Sequence, residues 1–286
     1  MSVLNKEETI ELIERSYKYR ELIIKMMQNS EAHVGGAFSC IDILNVLYNK
    51  ILNVDPDNPK WDKRDRFVLS AGHKGIAQYV VLQDKGFFEE KILWTWEKLK
   101  SRIPMHPDEK SLPGIEFPTG ALGHGLSVAG GMAIAAKTDK KKHRIFVLMG
   151  DGECEEGTVW EAAMSAGHYK LDNLIAIIDR NGLQVNGRTS EIMSSAPLED
   201  KFLAFNWNVK VINGHDIREI YESLSSIPFS KNKPSVIIAN TVKCKGIEFE
   251  EDNVNSHHCH WEESRIPAVF KSLETVKERE ILNVRK

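Results

Sequence analysis

The sequence lacks the features that mark most specialised chain types. No run of about 18 apolar residues occurs, so no transmembrane helix is expected. The N-terminal MSVLNKEETIELIERSYKYR carries charge where a secretory leader carries its apolar stretch, which points to the cytoplasm. Only four cysteines are present (Cys40, Cys154, Cys244 and Cys259), and no two form a CxxC pair. That excludes a disulfide framework and a structural zinc site and leaves reduced thiols. A basic excess is missing as well: 38 Lys and Arg face 41 Asp and Glu, a net charge of -3. No global field therefore exists to hold a nucleic-acid backbone or an anionic membrane surface. Neither an internal repeat nor a Pro/Gly/Ser-rich linker divides the chain. What remains is an ordinary globular composition, 42% hydrophobic and 28% charged, in a length of 286 residues that fits one large unit spanning 1–286.

Apolar spacing supplies the elements. Residues 6–29 carry Ile10, Ile13, Tyr17 and Ile24 at helical intervals, and 39–48 reads as a second helix after a Gly35-Gly36 turn. From Arg66 onward short apolar runs alternate with helical patterns: 66–70, then a helix near 76–83; 144–149, then a helix near 159–169; 174–179; 208–212, then a helix near 217–224; and 235–240. Strands alternating with helices imply right-handed crossovers, hence a doubly wound, mostly parallel α/β sheet with helices on both faces. Ligands of such sheets sit beyond the carboxyl ends of the strands. There the sequence places Ser70-Ala71-Gly72-His73, Gly150-Asp151-Gly152-Glu153 and Arg180-Asn181-Gly182.

Gly150-Asp151-Gly152 leaves a buried strand and sets a carboxylate between two residues without side chains. Small neighbours let a phosphate or metal approach the backbone, and the aspartate supplies a hard oxygen for Mg²⁺. Alone, the tripeptide reads more readily as a plain turn. Asn181 changes that, because it follows about thirty residues later at the end of the next strand, one βαβ step away. Asp151 and Asn181 then supply two oxygens and the Leu183 carbonyl can supply a third, leaving room for water and two phosphate oxygens. The pattern describes a metal-bridged diphosphate.

Here the sequence resembles the thiamine diphosphate enzymes, and among them the transketolase family, in particular the N-terminal polypeptide of its two-chain form. The matching segments run in order along nearly the whole chain: Ala32-His33-Val34-Gly35-Gly36, Ser70-Ala71-Gly72-His73, His106-Pro107-Asp108, Pro113-Gly114-Ile115-Glu116, Thr119 to Gly125, the GDG segment, Gly214-His215-Asp216 and Lys243-Cys244-Lys245-Gly246. GDG alone marks only the superfamily; HPD followed by PGxE and TGxLGHG is specific to transketolases.

The resemblance implies the thiamine diphosphate-binding fold, here its pyrophosphate-binding domain, and a set of roles. Asp151, Asn181 and the Leu183 carbonyl would hold Mg²⁺, or Ca²⁺ or Mn²⁺ in its place. Gly152 and Glu153 would offer backbone N–H groups to the diphosphate, with Gly120, Leu122 and Gly123 passing close to the cofactor and His73 near the diphosphate. His33, His73, His106 and His257 would surround the thiazolium ring and the sugar, His106 reading the donor's C1 hydroxyl, since ketol transfer needs proton movement at hydroxyl and carbonyl oxygens near neutral pH. The family shows Trp-His-Gly where this chain has Ser256-His257-His258, so either histidine could enter the site. A zinc reading of His257, His258, Cys259 and His260 is weak, because adjacent ligands rarely close one tetrahedron. Glu156 and Glu161 match acids of an intersubunit carboxylate network, while as residues at a helix start they read equally as solvent-facing acids. His124 and His215 read as structural, the latter beside a helix cap at Asp216.

The glutamate that activates the aminopyrimidine in transketolases lies on a pyrimidine-binding domain that these residues do not include. A second polypeptide carrying it is therefore expected, in a heterotetramer of two of each chain acting on sugars or sugar phosphates, with no nucleic acid and no membrane partner. Two alternatives stand beside this reading. A nicotinamide dehydrogenase needs GxGxxG directly after an early strand, and Gly120 to Gly125 has the wrong spacing and no preceding strand. A non-catalytic scaffold would have no need of the intact Asp151, Asn181 and four histidines. Within the same chemistry, a ketol transferase specialised for one pathway's sugar is the nearest variant.

Overall fold

Side chains on successive strand positions point to opposite faces, and in this chain both faces are apolar. Phe146 and Leu148 enter one core while Ile145, Val147 and Met149 enter another; Ile175 and Ile177 divide from Leu174, Ala176 and Ile178 in the same way. A sheet buried on both sides must be covered by helices on both, which is the arrangement observed in the computed structural model, described over residues 3–27, 30–257 and 259–286.

In chain order the strands are β1 (Arg66–Leu69), β2 (Ile145–Gly150), β3 (Leu174–Arg180), the two-residue strands β4 (Leu183–Gln184) and β5 (Gly187–Arg188), β6 (Asn208–Asn213) and β7 (Ser235–Asn240). The helices are α1 (Lys6–Met26), α2 (Val34–Val46), α3 (Gly75–Asp84), α4 (His124–Thr138), α5 (Gly157–His168), α6 (Thr189–Ile192), α7 (Leu198–Ala204), α8 (Ile217–Ser225) and α9 (Ile266–Arg285). Five strands form one parallel sheet in the order β1-β2-β3-β7-β6, and β4 and β5 form a small antiparallel hairpin. Helices α1, α2, α3, α8 and α9 cover one face and α4, α5 and α7 the other. Each fully buried Ile, Leu or Val in these two layers contributes roughly 1.5–3 kcal/mol.

Local signals set the helix ends. Asn5 and Glu8 form a reciprocal capping box at the start of α1, with N–H···O distances of 2.8 and 3.1 Å. Asp216 caps α8 by accepting the N–H groups of Arg218 and Glu219, in keeping with its sequence position. The expected doubly wound architecture is present, with one local difference. α1 runs to Met26, the end of the expected 6–29 helix at 28–29 lying outside the described residues, and Gly35-Gly36 forms no turn: both glycines lie within the first turn of α2, which begins at Val34 and passes into a π-helical stretch over Leu47–Ile51. The reason is packing. A Cβ on Gly35 would stand 2.0 Å from the Ser256 carbonyl oxygen, so the glycine admits the segment that carries His257. Among the described residues no helix is long and apolar enough to cross a membrane.

Candidate functional site

The carboxyl ends of β1, β2, β3 and β7 meet at a cavity of about 190 Å³ lined by His73, Leu122, Asp151, Asn181, Leu183 and Lys243, among others. A larger hollow of about 660 Å³ lies at the opposite end of β1 and β2, around Trp61 and His143, and contains none of the residues singled out above.

Asp151 leaves β2 and is 4% exposed. Its Oδ1 accepts the Gly152 N–H at 3.0 Å and its Oδ2 the Gly182 N–H at 2.8 Å, which fixes the carboxylate against the end of β3. Burial, then the neighbouring Asp179 charge, push its carboxyl up to about 6. Asn181 is oriented from both ends: its Oδ1 accepts the Leu183 N–H at 3.1 Å and its Nδ2 donates to Ser39 Oγ at 3.4 Å. Leu183 begins the β4–β5 hairpin beside it. The donor set is carboxylate, amide and carbonyl oxygen, the hard ligands that Mg²⁺, Ca²⁺ or Mn²⁺ takes. A cation there would also relieve the cost of a buried carboxylate, so the residues fit the metal.

Glu153 is a hub. Its buried carboxylate accepts the Ser70 hydroxyl, the Gly123 N–H at 2.8 Å and the Gly150 N–H at 3.1 Å, joining the ends of β1 and β2 to the glycine loop before α4. Burial raises its carboxyl above the usual range against these three donors. The Gly125 N–H is likewise taken, by Ser70 Oγ at 3.1 Å. A glycine-rich helix entry is expected to present open N–H groups to an anion, but at Gly123 and Gly125 those donors are already bonded. What glycine supplies at 123 is shape: φ is +79°, and a Cβ would stand 2.5 Å from Thr158 Oγ1. The Gly152 N–H is also engaged, by the Asp151 carboxylate itself.

The four histidines converge. Ring centroids lie 5.4 Å apart for His33 and His73, 6.4 Å for His33 and His106, 5.1 Å for His33 and His257 and 5.8 Å for His73 and His257. They come from the residue before α2, the turn after β1, a long connection and the short helix Val254–His257. Gly120, at φ +142°, lies against the His106 ring. Burial, then Lys74 and the other histidines, hold His73 well below its ordinary value, so its imidazole is neutral near pH 7. His258 lies outside the described residues, whereas His257 faces the cavity. Glu156 and Glu161 are exposed, the first at the rim of the cavity and the second on α5.

Sequence patterns alone miss the floor of the site. Asp179, fully buried, accepts from Lys74, Ser39 and Thr241, and Lys74 is itself only 2% exposed. Lys243 is 1% exposed and its Nζ meets no hydrogen-bond acceptor among the described residues. Burial, followed by the Lys74 ammonium, pulls Lys243 down to about 8. Two lysines inside strand-end segments are the available signal, since a lysine beside an apolar run either snorkels or meets an anion.

A family profile described as "Transketolase, thiamine diphosphate binding domain" matches residues 16–279. The chain belongs to this family. It is 46% identical over 252 residues to one subunit of the apulose-4-phosphate transketolase of Phocaeicola vulgatus, covering 88% of this chain and 89% of that one. It is 40% identical over 269 residues to the 6-deoxy-6-sulfo-D-fructose transketolase subunit SqwG of Clostridium sp., covering 94% and 98%. In structure it superposes on the transketolase of Campylobacter jejuni with a TM-score of 0.86 at 31% identity, over 96% of this chain. It spans only 46% of that transketolase. The transketolase-family fold thus accounts for the parallel sheet and the helices around it.

Proposed function

We propose that this chain is the diphosphate- and metal-holding subunit of a two-chain ketol transferase, moving a two-carbon unit from a ketose or ketose phosphate to an aldose or aldose phosphate. The observation that carries the reading is Lys243: a buried ammonium with no hydrogen-bond acceptor among the described residues, near Asp151 and Lys74, in a cavity that also offers hard oxygen ligands. Such a cavity favours a bound anion and a divalent cation together, and a metal diphosphate is both.

Asp151, Asn181 and the Leu183 carbonyl would hold the metal, and Lys243, Lys74 and His73 would face the diphosphate. Thiamine diphosphate, when bound there, supplies a thiazolium carbon that takes up the two-carbon unit with its electron pair. The chain's own groups do the rest. His106 would bond the donor's C1 hydroxyl, while His33 and His257, their rings 5.1 Å apart, would serve the substrate oxygens that gain and lose protons. A neutral His73 adds no resting positive charge to this cluster.

Relatives of matching length are themselves named as single subunits of transketolases, which supports a partner that brings the pyrimidine-binding half. A heterotetramer of two of each chain satisfies that requirement symmetrically. The exposed Glu156 and Glu161 would then meet another subunit. Relatives named for apulose-4-phosphate and for 6-deoxy-6-sulfo-D-fructose support a sugar or sugar phosphate as substrate. Calorimetry on the full chain tests the reading directly: thiamine diphosphate should bind in the presence of Mg²⁺ and fail to bind in excess EDTA. Equal binding in both, or none in either, contradicts it.

A further inference from the structure

We propose that His215 is a positioning residue of this site, acting through the Val242 amide to set where Lys243 stands; the proposal rests on the diphosphate reading above. His215 lies between β6 and α8. Its Nδ1 is 2.8 Å from Asp42 Oδ2, and its Nε2 is 2.8 Å from the Val242 nitrogen. A backbone N–H can only donate, so Nε2 carries no proton, and the ring hydrogen sits on Nδ1 and is donated to Asp42. Asp42 is anchored in turn by a buried bidentate pair with Arg20, at 2.9 and 2.7 Å. The Arg20 and His215 contacts outweigh burial and hold the Asp42 carboxyl far below its ordinary range, so it remains an anionic acceptor. A continuous chain thus runs from α1 through α2 and the imidazole to the segment leaving β7.

That segment needs a holder. The ladder between β3 and β7 ends at Asn240, and the Thr241 N–H still reaches the Arg180 carbonyl at 3.0 Å. The next N–H, Val242, has left the sheet and finds His215. Beyond it the Cys244 N–H is taken by the Gly35 carbonyl at 3.0 Å. Between these two anchors sits Lys243, whose ammonium has no hydrogen bond among the described residues to place it, so its backbone places it. Thr241, on the other side, donates to Asp179 on the cavity floor. Thr241 thus keeps its own anchors at Arg180 and Asp179, and releasing Val242 leaves Lys243 without its N-terminal anchor.

Two variants separate positioning from simple stabilisation, because each keeps one of the two bonds. In His215→Asn the amide nitrogen takes the place of Nδ1 and keeps Asp42 but cannot reach Val242. In His215→Gln the carbonyl oxygen takes the place of Nε2 and keeps Val242 but gives up Asp42. Calorimetry of the full chain with Mg²⁺ and thiamine diphosphate should show about tenfold weaker binding for His215→Asn and a change within about threefold for His215→Gln. Hydrogen exchange should be accelerated at Val242 in His215→Asn alone. Equal affinities across the wild type and both variants, or the reverse order, overturns the proposal. If the wild type itself binds nothing, the diphosphate reading fails, and the exchange measurement still decides the clamp: a Val242 amide as slow in His215→Asn as in the wild type refutes it.

Discussion

Lys74, in the turn after β1, reaches past the end of β2 to pair with Asp179 at the end of β3, so an ammonium and a carboxylate lie buried together under the cavity. Burial opposes both charges, and the Asp179 contact is what keeps the Lys74 ammonium above its ordinary value. Breaking such a pair from one side leaves an uncompensated charge in the interior.

Lys74→Met should therefore destabilise the chain by about 3–5 kcal/mol, read from denaturant midpoints, and adding Asp179→Asn should recover a large part of the loss. A single variant as stable as the wild type would show that the pair is solvated and the floor of the cavity open.

The Asp151 carboxyl gives a pH signature. It titrates near about 6 in the folded chain against an ordinary 3.8, so between those values the folded state holds a proton that the unfolded state has lost. Without metal or cofactor, the chain then loses stability as pH rises from about 4 to about 6, by ~2–3 kcal/mol, and does not regain it above. Asp151→Asn should be more stable than the metal-free wild type at pH 7, converge with it near pH 4, and lose Mg²⁺-dependent cofactor binding. Thermal melts across pH check the first part and calorimetry the second; unchanged cofactor affinity in the variant would remove Asp151 from the metal site.

Gly35 tests whether the His257 segment acts in the reaction rather than in holding the cofactor. A Cβ there would collide with the Ser256 carbonyl at 2.0 Å. Gly35→Ala should displace His257 and, because the same Cβ would stand 2.9 Å from Lys243 Cγ, disturb Lys243 as well, lowering kcat/KM at least tenfold and by clearly more than Mg²⁺-dependent cofactor affinity. Equal losses in both quantities would mean that the segment serves binding instead.

His106 should discriminate donors. His106→Ala is expected to lower kcat/KM for hydroxypyruvate, which carries the hydroxyl, much more than for pyruvate, which lacks it, because the lost hydrogen bond exists only with the former. Parallel losses would assign His106 to the cofactor.

The sheet is legible in the sequence because its strands are short apolar runs set between helical patterns, and both faces of β2 and β3 are filled as those runs require. The histidines are legible only through the motifs around them; spacing in the chain gives no reason for residues 33, 73, 106 and 257 to meet. The Gly35-Gly36 pair misleads because glycine marks turns by default, and the tertiary approach of Ser256 that calls for it here is invisible locally. Asp179 looks like no more than the end of a strand, and neither Lys74 nor Lys243 declares a role, since a buried ion pair between the ends of β1 and β3 depends on their order in the sheet. The bonded N–H groups of Gly123 and Gly125 escape for the same reason: their acceptors, Glu153 and Ser70, belong to other loops.

In the proposed function this chain holds the metal and diphosphate half of a site that another polypeptide completes. Ketol transfer from hydroxypyruvate to an aldose acceptor, measured with Mg²⁺ and thiamine diphosphate while a partner carrying the pyrimidine-binding domain is titrated into a fixed amount of this chain, tests it most directly. Negligible turnover is expected from the chain alone, with a rate that climbs with the complex formed until the two chains are equimolar. Full transferase activity from the chain by itself, unchanged by the added partner, would contradict it.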